Sequence, residues 1–343
     1  MNIPADVPTS QHNTFLQSYN KITHGKNRLM LFAADQKIEH LNNDFYGDFI
    51  HPEANNPKHI FSIAAQGRIG ALATHLGLIA RYGSEFKDIN YIVKVNGKTN
   101  LIETNKKDPI SSTLWTIEDV IKFKKDSGLS ICGVGYSLYI GSEFEAQMLH
   151  EAAQLIYNAH QNGLIAILWV YPRGKNIKAN LDLTSGTAGL ANALGADFVK
   201  IKQPAAPGDA SVDASVEALA KSEALAKSEA ESDVSAEAIW RRLEAWEETD
   251  DEISPFETLK IATQAAGNTK VICAGGEFED TEVFLRKLHE QINIGGTSGN
   301  ATGRNIFQRS VHDAIAFTNA ISAIVYDHKS ANEAIKIYNS MMK

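Results

Sequence analysis

Eight short runs rich in aliphatic and β-branched residues recur along the chain, each closing in polar or glycine residues and each followed by a stretch with helical spacing. Strand then helix, repeated, is the pattern of βα units, and eight of them predict a closed (β/α)8 TIM barrel. The predicted strands are Leu29–Ala34, Ile69–His75, Ile89–Val95, Ser130–Tyr136, Leu164–Tyr171, Ala196–Lys202, Lys270–Ala274 and a glycine-rich one near Gly295–Thr302. The second is ambiguous with helix and the eighth is weak, so these two follow from spacing rather than from pattern.

Length agrees with this reading once two segments are set aside. The chain has 343 residues, and removing a leading extension (1–27) and residues 205–254 leaves about 266, close to the ~250 of one barrel. A single domain over 1–343 is therefore expected. Residues 205–254 form an Ala/Ser/Glu/Lys-rich insertion after strand six that contains EALAKSEALAKSEA. A six-residue unit drifts around a 3.6-residue helix and makes no stable apolar stripe, so the segment is expected to build no core. It carries fourteen acids against four bases; outside it 29 bases face 27 acids, so the net charge of −8 does not forbid anionic ligands elsewhere. No Lys/Arg block interleaves with aromatics, which argues against nucleic acid. No run approaches the ~20 apolar residues of a membrane span, and the first residues lack a basic leader and an apolar stretch, so a cytoplasmic protein is expected. Cys132 and Cys273 lie in apolar stretches and read as buried free thiols. The eleven histidines show neither HxH nor HExxH spacing, and no GxGxxG follows a strand, so neither a metal nor a dinucleotide is expected.

Barrel chemistry sits at the carboxyl ends of the strands. In strand six, the two-residue period puts Val199 and Ile201 on one face and Lys200 and Lys202 on the other. If the aliphatic pair meets the helices, both lysines point inward, where burial and a neighbouring positive charge favour a neutral, nucleophilic amine. Alternatively the strand ends early and the lysines are solvated, or they bind phosphate. In strand five Trp169 and Tyr171 share a face, with Tyr171 at the rim before Pro172-Arg173-Gly174; its phenol can relay protons or simply pack in a core. Asp35 closes strand one, as a proton shuttle or as a helix cap. Gly275 and Gly276 after strand seven, and Gly303 and Arg304 after strand eight, offer backbone amides and a guanidinium to a phosphate. Lys94 shares a phase with Asn96 in strand three and could add a cation, as could Arg173.

These residues resemble those of the archaeal-type class I fructose-bisphosphate aldolases, from about Arg28 to Tyr326 with the acidic insertion as an interruption. The resemblance rests on Trp169-Val170-Tyr171-Pro172-Arg173-Gly174 and Gly195-Ala196-Asp197-Phe198-Val199-Lys200, with Lys94-Val95-Asn96-Gly97-Lys98-Thr99, Gly135-Tyr136-Ser137-Leu138-Tyr139 and Gly303-Arg304-Asn305 in support. It implies a Schiff-base lyase of glycolysis and gluconeogenesis with no metal cofactor, a phosphorylated sugar as substrate and a homo-oligomeric state. Lys200 would form the imine, Tyr171 would be the general acid/base, Trp169 would shape the site and Asp35 would assist carbinolamine formation. Lys94, Arg173, Lys202, Gly275, Gly276, Gly303 and Arg304 would bind substrate or its phosphates. A related aldolase or transaldolase-type enzyme on another phosphorylated ketose, and a non-catalytic phosphosugar-binding scaffold, are the alternatives. The chain departs from the family's Asp-His-Gly-Ile-Glu-His-Gly at Gln36, Lys37 and Leu41, from Tyr-Thr-Gly-Asp at Gln203-Pro204, and from a serine at Ala274.

Overall fold

In the computed structural model the described residues are 2–103, 106–177, 181–203 and 254–343. The acidic insertion, apart from Ser254, lies outside them. All eight predicted runs form strands: β1 (Leu29–Ala33), β2 (Ala71–His75), β3 (Tyr91–Lys94), β4 (Ile131–Ile140), β5 (Ile165–Pro172), β6 (Phe198–Ile201), β7 (Lys270–Ala274) and β8 (Gly299–Thr302). Each pairs in parallel with the next, and β8 closes on β1, so the sheet is a continuous barrel without edges. β4 runs four residues past its expected end because it pairs with β5 up to Ile140 opposite Pro172. β8 is shorter than expected at its start. It begins at Gly299, whose φ of +126° lies where side chains are strained and where a Cβ would strike the Leu29 backbone.

Alternate residues divide the apolar content between two layers. Val199 and Ile201 join the outer layer between strands and helices, as the phase of strand six predicts. Leu31, Ala73, Ile92, Ile167, Phe198 and Ile272 fill the interior. The leading segment, expected as an extension outside the barrel, belongs to this interior. Helix α1 (His12–Thr23) lays Phe15, Tyr19 and Ile22, all at most 1% exposed, across the amino ends of the strands. Tyr19 stacks on Phe198 with centroids 5.8 Å apart. Three such side chains bury about 1.5–3 kcal/mol each, enough to hold a floor in place.

The residues before α1 are pinned as well. His160, at the end of the helix Glu145–Gln161, is fully buried, with Nδ1 2.8 Å from Asp6 and Nε2 3.2 Å from Asp197 at the start of β6. Burial alone would depress the imidazole pKa, but the hydrogen bonds and charges of the two aspartates outweigh it and raise the pKa. The stability this arrangement adds is therefore fully present below the ordinary histidine value near 6.5 and is lost as pH rises through the raised folded value. Asp6→Asn is expected to lower unfolding free energy by about 1–2 kcal/mol at pH 6 and by less at pH 9, read from urea midpoints. An equal loss at both pH values would show that His160 is neutral.

Cys132 and Cys273 are buried and unpaired. Among the described residues no helix is long and apolar enough to cross a membrane.

Candidate active site

The barrel register brings the interior side chains into one layer. Ser137 pairs with Trp169, Trp169 with Lys200, and Lys200 with Ile272. Lys200 is 6% exposed and makes no hydrogen bond or ion pair among the described residues. Burial lowers its pKa most, and Arg304 and Lys202 add to this, while the carboxylates of Asp35 and Glu39 oppose it. A buried ammonium without a partner is costly, so the environment favours the neutral amine. Lys202 differs from the expectation that both lysines point inward. β6 ends at Ile201, and Lys202 is exposed at the mouth, where burial of its stem and the charges of Arg173 and Arg304 lower its pKa.

Trp169 lies over Gly135, where a Cβ would collide with the indole ring. The glycine of β4 is thus what lets a tryptophan lie in the interior. Two amines approach that ring, Lys94 with Nζ at 5.7 Å from the centroid and Lys200 at 5.8 Å. Lys94 is 3% exposed, and its Nζ donates to the Asn96 carbonyl (3.0 Å) and to Asn96 Oδ1 (2.7 Å). Asn96 is itself held by Nδ2 bonds to the carbonyls of Ser111 and Ser137. Lys94 therefore shares the Trp169 ring with the Lys200 amine, inside the barrel. Burial brings its pKa down to about 8, with Lys200 pushing the same way and Asp35 and Glu39 opposing.

Tyr171, two residues beyond Trp169, is half-buried at the rim, and its hydroxyl has no hydrogen-bond partner among the described residues. The core-packing alternative required such a partner. Burial and the Asp35 charge push the phenol pKa up, against the pull of Arg173. Asp35 sits at the cap position of the short helix Gln36–Glu39 but makes no side-chain cap bond, so the capping alternative fails too. The Asp35 carbonyl lies 3.2 Å from His75 Nε2, and His75 Nδ1 lies 3.0 Å from the Lys94 carbonyl. Burial and Lys94 lower the His75 pKa to about 4, and a neutral ring, with one N–H, donates to only one of these two carbonyls.

Glu39 and Tyr139 received no role from the sequence. Arg173 Nη1 lies 3.4 Å from Glu39 Oε1, and the Tyr139 hydroxyl donates to the same oxygen at 3.3 Å. The Arg173 guanidinium also approaches the rings of Tyr139 and Tyr171, at 5.4 and 5.5 Å. Their presence in the quoted motifs was the available signal.

At the opposite side of the mouth, Gly275, Gly276, Gly303 and Arg304 come together after β7 and β8. The Gly275 amide is already committed, donating to the Ala301 carbonyl at 3.1 Å. What Gly275 allows is the close approach of β8, since a Cβ would stand 2.6 Å from Thr302 Oγ1. Gly276 adopts φ +72°, a turn that glycine makes without strain. Asn305, another residue without an assigned role, ties the two loops: its Nδ2 donates to the Gly275 carbonyl (2.9 Å) and its Oδ1 accepts from the Glu279 amide (2.8 Å). Arg304 lies 3.6 Å from Glu277 and 3.9 Å from Asp44, distances that leave its donors open to an anion.

The first loop also has a defined place. Gln36 packs against Gly303, Lys37 reaches the Asn55 carbonyl (3.4 Å) and the Phe45 ring (4.2 Å), and Leu41 takes φ +52° with 43% exposure. The left-handed backbone at Leu41 explains why the family favours glycine there. Among the described residues no group of three or more His, Cys, Asp or Glu side chains could hold a metal ion.

Comparison with known proteins gives concordant results. A model of the DeoC/LacD family of aldolases matches residues 29–309. A protein of Methanocaldococcus jannaschii named fructose-bisphosphate aldolase/6-deoxy-5-ketofructose 1-phosphate synthase is 44% identical over 340 residues, covering 98% of this chain and 94% of its own. The class 1 fructose-bisphosphate aldolase of Halobacterium salinarum is 28% identical over 311 residues, covering 90% of this chain and 94% of its own. Among solved structures, the fructose-bisphosphate aldolase of Slackia heliotrinireducens superposes with a TM-score of 0.85 at 42% identity, over 99% of this chain and 94% of that one.

Proposed function

The chain belongs to the DeoC/LacD family of aldolases, and from that premise we propose that it cleaves fructose 1,6-bisphosphate reversibly to dihydroxyacetone phosphate and glyceraldehyde 3-phosphate through an imine on Lys200. The observation that carries the reading is the buried Lys200 amine in one interior layer with Trp169, two residues below the Tyr171 hydroxyl, neither group having a hydrogen-bond partner among the described residues.

The neutral amine attacks the ketone carbon and gives a carbinolamine. Tyr171 donates its proton to the departing hydroxyl, Asp35 assists, and water leaves with formation of the iminium. The phenolate is a strong base, because burial raises the pKa of the phenol, and the Arg173 guanidinium beside the ring stabilises it. It takes the proton of the C4 hydroxyl, the C3–C4 bond breaks, and the bonding pair passes into the iminium to leave an enamine. Tyr171 then protonates C3, and water hydrolyses the iminium to release the ketone. Because the iminium accepts the electron pair, the reaction calls for no metal, and treatment with a chelator is expected to leave the rate unchanged. The ketone-side phosphate would rest between Gly276 and Gly303-Arg304, while Arg173 and Lys202 would meet the distal end.

Trapping with borohydride tests the reading. Dihydroxyacetone phosphate and borohydride are expected to add one reduced triose phosphate to Lys200, located by mass spectrometry. Modification of Lys202 would move the nucleophile by two residues, and the absence of any adduct would overturn Schiff-base chemistry.

A second reading is favoured by the double name of the M. jannaschii relative and by the altered first loop: transfer of the enamine fragment to another aldehyde, in the manner of a transaldolase. Equal cleavage of fructose 1,6-bisphosphate and fructose 1-phosphate, with transfer outpacing release, would favour it.

A further inference from the structure

We infer that Gln36 is a substrate-binding residue whose side-chain amide donates to the phosphate between Gly303 and Arg304. The inference rests on the reading of Lys200 as the captor of a ketose phosphate and adds a contact to it.

Gln36 follows Asp35 directly, and its amide crosses to the neighbouring strand end. A Cβ at Gly303 would stand 2.7 Å from Gln36 Nε2, so the glycine is what allows the amide to lie there. Neither end of the amide has a hydrogen-bond partner among the described residues, and Oε1 is buried as well. A buried acceptor without a donor costs stability, and buried polar groups in folded proteins are nearly always paired. The arrangement becomes intelligible if the opposite end matters more: the NH2 group lies against Gly303, next to Arg304, where it would add a donor to those that Arg304 offers a phosphate. The rest of the first loop does not compete for this place. Lys37 is committed to the Asn55 carbonyl and the Phe45 ring, and Leu41 is exposed. Arg304 supplies charge with acids no nearer than 3.6 Å. A carboxamide adds a directed donor without a further positive charge near the Lys200 amine, whose pKa the existing cations already help to depress.

The test compares two ketones that differ only in phosphate, dihydroxyacetone phosphate and dihydroxyacetone, by the concentration that half-saturates borohydride-trapped imine at Lys200. Gln36→Met keeps the length of the side chain and removes the donor. It is expected to raise the half-saturating concentration of the phosphorylated ketone about 10-fold and to leave that of dihydroxyacetone unchanged. Gln36→Glu places a carboxylate against the phosphate and is expected to raise it roughly 100-fold or more. Gln36→His restores a donor and is expected to return within about 3-fold of the parent. An equal rise for both ketones, or no rise in Gln36→Met, overturns the assignment of Gln36 while imine formation itself stands. Failure of the parent protein to form an imine with either ketone would instead remove the reading on which the inference rests.

Discussion

Lys200→Met is expected to abolish turnover while making the protein more stable. Loss of the covalent nucleophile should cost about 10⁴-fold or more in rate, because no other described amine occupies the same interior layer facing the mouth. Lys94 is the nearest rival, yet its amine is held by two hydrogen bonds to Asn96. Stability should move the other way. The ammonium of Lys200 has no hydrogen-bond or ion-pair partner among the described residues and is 6% exposed, and a thioether of similar length fits the same space without a charge to desolvate. A gain of about 1–2 kcal/mol in unfolding free energy is expected, measured by urea titration at pH 7. The two readouts together separate a functional lysine from a structural one. A variant that is inactive and also less stable would indicate that Lys200 braces the barrel, and a variant that retains activity would remove it from the chemistry.

Tyr171→Phe should be the second most damaging change, with a loss of about 10²–10⁴-fold, the range of a positioned acid/base. Its signature is an accumulating adduct. Lys200 still captures the ketone, but proton transfer to and from the substrate slows, so borohydride should trap more adduct per turnover than in the parent protein. The pH profile supports the same division of labour. The phenol is raised above its ordinary value and stays protonated across the working range, so the rising limb of the rate belongs to Lys200. That limb should lie below the ordinary lysine value of about 10.4, with activity increasing as pH approaches the depressed pKa from the acid side. Replacement of Lys202 by methionine removes one of the charges that depress Lys200 and should carry the limb upward. An unchanged limb in that variant would mean that burial and Arg304 set the amine without Lys202.

Much of the barrel was legible because strand phase is a local property. Val199, Lys200 and Ile201 alternate within three residues, and only one orientation sends the aliphatic pair to the helices. The lysine pair shows where this reasoning stops. Alternation puts Lys200 and Lys202 in phase, but whether the strand continues to Lys202 depends on pairing with its neighbours, and it ends at Ile201. The N-terminal helix carries an amphipathic pattern that says it will bury a face; that the face would be the underside of the barrel follows only from the shape of the closed sheet. Glu39 was the hardest residue to read, since its partners Tyr139 and Arg173 lie 100 and 134 positions away. Asn305 has the same difficulty in reverse. Its value lies in joining two loops that only the closed barrel makes neighbours.

The helix beneath the strands has one more implication. Phe15, Tyr19 and Ile22 pack beneath the amino ends of the strands, so on the proposed mechanism substrate reaches Lys200 from the carboxyl ends. With the ketone half held covalently on Lys200, as proposed, the aldehyde is expected to depart first and the ketone last. In the synthetic direction the sequence reverses, and excess aldehyde should obstruct entry of the ketone as a dead-end competitor.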